Sequence, residues 1–538
     1  MGRQSAGNGF LRAAVRARGD EPVFGYGPGR QTGEAFAALI RDIDPSATPV
    51  WIPANRLDQV AARGLLYRPD QVLAPAARLR LRAGPAAYSL CGITHTIASQ
   101  GAMSATADLL TAPLMAWDAV ICTSSVAAEA LRTMMEAQQE YLGWRFGEPV
   151  APPTPQLPVI PLGVHCDDFG CSDAERASAR DTLGIAPDEI VALFAGRLTF
   201  SAKAHPHAMY AALQRVAEDT GRKVVLIQAG QFANAALEAV FRTATAQFCP
   251  SVRALFVDGK QEALYRSAWR AGDFFVSLSD NIQETFGLTP VEAMAAGLPV
   301  LVTDWNGYKD TVRDGIDGFR VSTWAPAPPA GAAMARDLEA ETSNYDYYLS
   351  RTSTTVSVEW RELIAAVTVL VTDETARRRM GEAARRRARE MLDWSVVYGH
   401  YQDLWAELRA MRLKAGDDAA TRTWLAAAPK AAPNNLDPFS VFASYPTMSI
   451  GPDTLVCGVP GASIEMYRQL TSHGINQPWM PPAQGVENFL KELAGERRSV
   501  RDLAEAGRAP IPILVEMVAR LAKLGLLELH APSDGRGG

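Results

Sequence analysis

The sequence predicts an α/β protein with two Rossmann-like domains and a small, mainly helical C-terminal domain. Short, almost continuously apolar runs alternate with helical stretches from residue 22 to about residue 304, a pattern typical of parallel sheets covered on both faces. A chain of 538 residues is too long for one hydrophobic core. A Pro- and Ala-rich stretch, AAAPKAAPNNLDP, at 426–438 separates the C-terminal part from the rest, as expected for a linker.

The composition is that of an ordinary globular protein. Hydrophobic residues make up 48% and charged residues 21%, and the net charge of −6 gives no general attraction to nucleic acid or anionic membranes. The sequence has neither a run approaching the roughly 18 apolar residues of a membrane span nor a signal-peptide core at its start. The six cysteines have no metal-binding spacing. We therefore expect a cytoplasmic protein with reduced cysteines and no bound metal.

Residues 1–21 are predicted to be an N-terminal extension. The segment 11–18 has the pattern of a small basic amphipathic helix that touches lipid headgroups. A frayed terminus is the favoured interpretation, because the first residues of a domain are often poorly ordered.

The first Rossmann-like domain is predicted over residues 22–186. A glycine-rich loop, GYGPGRQTG, lies at the end of its first strand, but it is not a G-x-G-x-x-G fingerprint. His95 lies at the end of the third strand, where a histidine is more often structural than functional. The predicted strands of this domain lie at 22–27, 49–53, 87–93, 118–124 and 157–163.

The second Rossmann-like domain is predicted over residues 187–392. Its first strand leads into a loop that carries Arg197 and Lys203, six positions apart. Two cations at the carboxyl edge of a sheet suit a diphosphate, although such residues in isolation are more often surface charges. The predicted strands of this domain lie at 190–196, 223–230, 254–259, 273–279 and 299–304.

The stretch from 274 to 303 has the pattern strand, loop, helix, strand. Glu284 lies in the loop and Glu292 in the first turn of a helix predicted from about 290 to 296, with seven residues between them. Carboxylates accept hydrogen bonds from sugar hydroxyls, and the amides at a helix start donate to phosphate. Two other interpretations remain open: a capping box in which Thr289 is the N-cap and Glu292 its partner, and a solvated loop position for Glu284. The candidate ligand-binding backbone in this loop comprises Thr285, Phe286, Gly287 and Leu288.

This stretch resembles the E-x7-E signature of the retaining GT-B glycosyltransferases (glycosyl transferases group 1). The following GLPVLVTDWNGYKDTVRDGIDGFRV is similar to the same family's continuation, and the resemblance covers roughly residues 22–410. It implies two Rossmann-like domains facing a cleft, with a nucleotide diphosphate sugar on the second and a glycan or lipid-linked acceptor on the first. It also implies retention of configuration, with no metal and no cofactor apart from the donor substrate.

The resemblance also implies roles for single residues. Arg197 and Lys203 would bind the leaving diphosphate, Glu292 the ribose, Glu284 the transferred sugar, and His95 would lie beside that sugar. The family's first glycine-rich loop approaches the donor phosphate or the acceptor, which makes Gly33 a candidate for that contact. The sequence departs from the family at WNGYKD (305–310), where many relatives have two glycines and a glutamate; Asp310 is a candidate replacement for that glutamate. The base, the sugar and the acceptor remain open. The choice of base rests on contacts that spacing does not show, and the acceptor is bound by a domain that varies within the family.

Three further segments complete the first 425 residues. Residues 323–357 are predicted to be an exposed insertion near the cleft. The charged stretch 376–390 suits a solvated helix face better than a nucleic-acid site. Residues 393–425 carry an apolar stripe at helical spacing, and the resemblance implies a helix that crosses back to the first domain.

The C-terminal part is predicted to consist of a linker at 426–440 and an accessory domain at 441–538 that weakly resembles a winged helix. Between residues 485 and 530, seven Lys or Arg are matched by seven Asp or Glu, so no basic face for DNA is expected. A contact with a protein partner or a packing role is favoured for this domain.

Two alternatives to a transferase remain. One is a sugar phosphorylase or synthase of the same fold. The other is a non-catalytic scaffold with a nucleic-acid-binding tail. If the acceptor is lipid-linked, the expected place of action is the inner face of the membrane, through peripheral contact.

Overall fold

The computed structural model describes residues 2–477, 479–493 and 496–531, with side chains from residue 4 onward. The chain divides into two compact units, Met1–Ala432 and Pro433–Gly538. Met1 of the predicted extension and residues 532–538 of the predicted accessory domain lie outside the described residues.

The first part of the larger unit alternates helices with short strands. The helices are α1 (Gly2–Ala17), α2 (Arg30–Ile43), α3 (Leu57–Arg63), α4 (Ala74–Arg80), α5 (Gln100–Thr111) and α6 (Ser125–Phe146). The strands are β1 (Val23–Gly27), β2 (Pro49–Pro53), β3 (Leu65–Tyr67), β4 (Ser89–Ile93) and β5 (Ala119–Ile121).

The strands of this part form two small parallel sheets, β1-β2 and β3-β4-β5, rather than one continuous sheet. The prediction of a strand at 157–163 is wrong. The segment does run beside β5, where the amide of Cys122 donates to the Pro158 carbonyl and the Ile160 amide donates to the Cys122 carbonyl. Pro158 and Pro161 have no N–H to donate, so only isolated bridges form.

The N-terminal helix α1 contradicts the prediction of a frayed terminus. Phe10 lies against Tyr67 with ring centroids 4.6 Å apart and also contacts Trp394. Arg12 forms an ion pair of 2.5 Å with Asp168. The apolar side of α1 is therefore packed against the protein. These contacts come from residues distant in the chain, so the sequence of the terminus alone gives no sign of them.

The second part of the larger unit forms a doubly wound domain. Its strands are β6 (Ile190–Leu198), β7 (Val224–Phe232), β8 (Arg253–Asp258), β9 (Phe274–Ser277), β10 (Val300–Thr303) and β11 (Gly318–Val321). Its helices are α7 (Asp173–Thr182), α8 (His207–Thr220), α9 (Ala235–Phe248), α10 (Glu262–Ala271), α11 (Leu288–Ala295) and α12 (Tyr308–Thr311). All the strands are parallel, in the order β8-β7-β6-β9-β10-β11; five of them were predicted, and β11 was not.

Both faces of this sheet are buried, as its nearly continuous apolar strands require. Leu193 of β6 belongs to one hydrophobic core and its neighbour Phe194 to a second core on the other face. Numbered along the domain, the strand order is 3-2-1-4-5-6, which places the reversal of direction between β6 and β9. In such sheets a ligand binds outside the carboxyl ends of the strands at this point.

The insertion at 323–357 is folded and partly buried rather than a fully exposed excursion. It comprises β12 (Thr323–Trp324), α13 (Ala332–Glu339), α14 (Tyr345–Ser353) and β13 (Ser357–Val358). Leu349 of α14 is fully buried, and Arg351 pairs with Asp337 at 2.6 Å.

The larger unit ends in four helices. Trp394, Tyr401 and Leu408 form a buried stripe along the third of them, and this stripe shares a core with Ile93 of β4 and Ile121 of β5. The helix therefore packs on the first domain. The four helices are α15 (Trp360–Thr372), α16 (Glu374–Arg387), α17 (Trp394–Ala415) and α18 (Ala419–Ala426), with a π-helical turn, Ala388–Leu392, after α16.

The smaller unit has its own core and a three-stranded sheet, in which β14 lies between β15 and β16. The elements are α19 (Pro438–Val441), β14 (Leu455–Gly458), α20 (Ile464–Ser472), α21 (Ala483–Leu493), β15 (Arg498–Ser499), α22 (Val500–Ala506), α23 (Ile511–Lys523) and β16 (Leu527–His530). None of the described helices in either unit combines the length and apolarity needed to cross a membrane.

Candidate active site

Two loops meet at the carboxyl edge of the second domain, where β6 and β9 lie side by side. The loop after β6 carries Lys203, and the loop after β9 carries Glu284. The Asn281 side chain donates to the Ser201 carbonyl, and the His205 amide donates to the Asp280 carboxylate at 3.0 Å. Strand order alone therefore brings these two distant segments together.

Lys203 and Glu284 form an ion pair of 2.5 Å in which the two side chains are 29% and 14% exposed. The second carboxylate oxygen of Glu284 accepts from the Gly287 amide at 3.1 Å. Burial favours the neutral acid, but the Lys203 ammonium and the amides of Phe286 and Gly287 outweigh it and lower the pKa of Glu284. Glu284 is thus a fixed carboxylate rather than a solvated loop residue.

Arg197 lies at the end of β6 and is partly buried. Among the carboxylates that the structure describes, none lies within ion-pairing distance of its guanidinium. The nearby Tyr345 hydroxyl has a raised pKa because it is buried, and the charge of Arg197 acts in the opposite direction. A partly buried cation without a counter-ion at this edge suits an anionic ligand.

Glu292 lies in the second turn of α11, and its carboxylate has no hydrogen bond to any described residue. Burial raises its pKa to about 7, and the Lys203 charge only partly offsets this effect. The predicted capping box is wrong. The N-cap is Gly287 with φ 86°, no side chain caps the helix, and Thr289 lies inside it. Glu292 is therefore a desolvated carboxylic group that does not serve its own helix.

The start of α11 is shaped by close packing. A Cβ on Gly287 would lie 1.9 Å from the Tyr308 ring, so only glycine fits. Phe286 is anchored in the core at 2% exposure, and Leu288 begins the helix. This arrangement fixes the first amides of α11, which have no carbonyl partners within the helix.

The first domain is joined to this edge of the second domain by four hydrogen bonds, two at Thr285 of the same loop and two at Asp310 of α12. The Thr285 hydroxyl donates to the His95 carbonyl at 2.8 Å, and the Ser124 hydroxyl donates to the Thr285 carbonyl at 2.7 Å. The Asp310 carboxylate accepts from the amide and the hydroxyl of Ser125, at 2.6 and 2.7 Å. We call these four hydrogen bonds the interdomain clamp. Asp310 thus holds the start of α6.

The remaining candidates lie on the first domain. The His95 imidazole hydrogen-bonds to the Pro69 carbonyl at 3.0 Å, which holds the ring near the clamp. Gly33 does not join this group, because it lies within α2 and a Cβ there would meet the Trp51 ring at 2.7 Å. Close packing of α2 on β2 accounts for this glycine.

Sequence reasoning missed several residues of the cleft. The Tyr345 hydroxyl of the insertion hydrogen-bonds to Thr96 at 3.2 Å, next to His95, and no sequence pattern points to it. Asp280 is 8% exposed, and burial raises its pKa to about 7. Ser124 and Ser125 lie between a strand and a helix, which is the usual place of an N-cap. This position is the one signal in the sequence that could have identified them.

The second domain is the part of the chain that matches a known family. Residues 175–327 match the family Glycosyl transferases group 1. The matched range contains Arg197, Lys203, Glu284 and Glu292, and the doubly wound domain is the one expected of a GT-B glycosyltransferase.

The curated relatives carry glycosyltransferase names. Proteins named D-inositol 3-phosphate glycosyltransferase from Geodermatophilus obscurus and Nocardia farcinica are 33% and 32% identical over 183 and 180 residues. The matches cover 33% and 32% of this chain, and 39% of each of these two relatives. The relative of the same name from Actinosynnema mirum is 32% identical over 39% of this chain and 50% of its own. The chain thus spans half or less of the length of these relatives.

Solved structures of glycosyltransferases overlay on a larger share of the chain, with low identity. Anabaena Alr3699/HepE in complex with UDP is 16% identical and covers 75% of this chain and 96% of its own, with a TM-score of 0.48. WaaG, described as a glycosyltransferase involved in lipopolysaccharide biosynthesis, is 15% identical and covers 74% of this chain and 96% of its own, with a TM-score of 0.43. Both TM-scores lie below 0.5, so neither overlay bears on the residues of the cleft.

Proposed function

We propose that the protein is a retaining glycosyltransferase that moves a sugar from a nucleotide diphosphate sugar to a hydroxyl of a glycan or lipid-linked acceptor. The observation that carries this proposal is the charge arrangement at the end of β6 and β9. Arg197, which has no carboxylate partner among the described residues, and the ion-paired Lys203 stand with Glu284 and the desolvated Glu292 at the edge where doubly wound sheets bind ligands.

The two cations would bind the diphosphate of the donor. Arg197 provides a forked donor for phosphate oxygens. Lys203 has three N–H donors, so it can hold Glu284 with one and a phosphate oxygen with another. The amides at the start of α11 add the positive end of a helix dipole. These groups stabilise the negative charge that develops on the leaving diphosphate, so we propose that transfer needs no divalent metal.

The two carboxylates would accept hydrogen bonds from the hydroxyl groups of the donor. Glu292 lies among buried groups without a described donor, and two ribose hydroxyls would supply the missing hydrogen bonds. Glu284 is kept ionised by Lys203 and by amides, so it accepts from hydroxyls of the transferred sugar. His95, held by the Pro69 carbonyl, stands on the acceptor side of the same space.

The chemistry then needs no side-chain nucleophile. The acceptor hydroxyl attacks the anomeric carbon on the face from which the diphosphate departs, and a phosphate oxygen takes the proton. The C–O bond to the diphosphate breaks while the new glycosidic C–O bond forms, with retention of configuration. The names of the curated relatives favour a phosphorylated cyclitol among the acceptors to be tried first. We place the reaction in the cytoplasm, at the inner face of the membrane if the acceptor is lipid-linked.

A two-stage experiment tests this function. Thermal unfolding in the presence of UDP, GDP, ADP and dTDP identifies the base, because a ligand that binds only the folded state raises stability by mass action. The matching sugar nucleotides are then incubated with acceptors, and the released product is identified. Release of nucleoside diphosphate together with a retained anomeric configuration, seen by NMR, supports the transferase. Release of a sugar phosphate indicates a phosphorylase, and failure of every nucleotide to stabilise the protein excludes the donor site.

A further inference from the structure

Three potential metal ligands share one face of the small sheet in the C-terminal unit. Cys457 lies on β14, directly opposite Glu528 of the antiparallel strand β16. His530 follows Glu528 by two positions, and side chains two positions apart on a strand point to the same face. These three residues, the C-terminal triad, belong to neither the cleft nor its loops.

The ligand atoms of the C-terminal triad lie at the corners of a small triangle. Cys457 Sγ lies 3.4 Å from His530 Nε2 and 3.9 Å from Glu528 Oε2. The His530 Nε2 and Glu528 Oε2 atoms lie 3.7 Å apart. A tetrahedral zinc ion has Zn–S near 2.3 Å and Zn–N and Zn–O near 2.1 Å. Its sulfur ligand therefore lies about 3.6 Å from the nitrogen and about 3.6 Å from the oxygen, and the nitrogen lies about 3.4 Å from the oxygen. The observed triangle therefore fits one ion with shifts of only a few tenths of an ångström.

We propose that the C-terminal triad is a zinc site with three protein ligands and an open fourth position. A thiolate, an imidazole and a carboxylate form a ligand set that suits Zn²⁺ and does not suit Mg²⁺ or Ca²⁺, which take oxygen ligands. The Glu528 side chain is 54% exposed and the His530 side chain 29%, so an ion can enter from solvent and a water can complete the tetrahedron.

Spacing along the sequence did not reveal this site because the ligands come from distant strands. Cys457 and Glu528 are 71 positions apart, and helices α20 to α23 lie between them. An ion bound by both strands closes this long loop, and metal binding adds its free energy to the folding of the unit that presents the ligands. The expected effect of Zn²⁺ is therefore stabilisation of the C-terminal unit.

The test uses the full chain after dialysis against chelator, titrated with Co²⁺ and then with Zn²⁺. We expect one Co²⁺ per chain, with the intense visible bands of a tetrahedral site and a thiolate-to-cobalt charge-transfer band, and displacement by Zn²⁺. Cys457→Ser should abolish the charge-transfer band, and Glu528→Gln should weaken Co²⁺ binding by about tenfold or more. Cys171→Ser is the matched control, because Cys171 is also partly exposed but lies outside the triad.

Two results would overturn the zinc site. The first is an unchanged charge-transfer band in Cys457→Ser. The second is a failure of the parent chain to retain Zn²⁺ at micromolar concentration in equilibrium dialysis, a measurement that does not depend on any variant folding correctly. In either case the triad is an ordinary set of hydrogen-bonded neighbours on adjacent strands.

Discussion

Glu292→Gln is the most informative single change in the cleft, because stability and ligand binding should move in opposite directions. Glu292 is partly exposed, with a pKa raised by burial to about 7 from its usual 4.5. Glutamine keeps the shape and removes the charge. The variant therefore relieves the desolvation of the carboxylate and loses the charge that the proposed ribose contact requires.

The stability effect follows from proton linkage. Between pH 4.5 and about 7 the folded parent keeps a proton on Glu292 that the unfolded chain releases, so the parent's free energy of unfolding falls as the pH rises through this window. The full pKa difference sets a ceiling of roughly 3 kcal/mol. Solvent screening of a partly exposed group reduces the expected gain of Glu292→Gln over the parent to about 1–2 kcal/mol at pH 8, with little difference at pH 4.5 or below.

The binding effect has the opposite sign. Loss of a charge-assisted pair of hydrogen bonds to ribose should weaken nucleoside diphosphate binding by about 1.5–3 kcal/mol, roughly ten- to a hundredfold. Urea unfolding at pH 4.5 and pH 8 and calorimetric titration at pH 8 measure the two effects. Glu136→Gln, on the exposed face of α6, is the control and should change neither. Equal nucleotide affinity in parent and variant refutes the ribose contact, and a stability difference that does not grow with pH refutes the desolvation of Glu292.

Four further predictions concern other parts of the molecule. Glu284→Gln should lower turnover of the sugar donor by about 10²-fold and leave binding of the free nucleoside diphosphate within about threefold; equal losses in steady-state kinetics and calorimetry would contradict a contact with the sugar. Tyr345→Phe removes the hydrogen bond to Thr96 and should raise the acceptor KM by up to about tenfold without changing nucleotide affinity; an unchanged KM would make the contact purely structural. Turnover should persist in chelator, and restoration by Mg²⁺ or Mn²⁺ of activity lost in chelator would show that Arg197 and Lys203 do not replace a metal. A chain ending at Ala432, the boundary of the larger unit, should still bind nucleotide; a folded truncation that does not bind would show that the C-terminal unit contributes to the donor site.

The sequence predicted the doubly wound domain well because its strands are buried on both faces. Runs such as 224–227 at the start of β7 are continuously apolar, whatever the details of packing. The strand β11 was missed because it begins with glycine and its apolar run is interrupted by Arg320. In the first domain, the alternation of elements predicted strands and helices but not the division into two sheets, which depends on pairings between distant segments.

The candidate site was predicted in part, for related reasons. Local chemistry together with the family resemblance made Arg197, Lys203, Glu284 and Glu292 candidates, and the structure places Lys203 against Glu284. Local spacing failed for Thr289, since the capping box needs a helix start that close packing at Gly287 moves two residues earlier. No sequence pattern pointed to Tyr345, because the fold of an irregular insertion is set by its contacts with the rest of the molecule.

The interdomain clamp makes the two halves of the cleft thermodynamically dependent on each other. Thr285 adjoins Glu284 in the donor loop and shares hydrogen bonds with Ser124 and the His95 carbonyl. If both substrates favour this clamped arrangement, each tightens the binding of the other by the same factor, since coupling free energies are reciprocal. Weakening the clamp at Ser124 should therefore make the affinities for the two substrates more nearly independent of each other, even where neither affinity alone changes much.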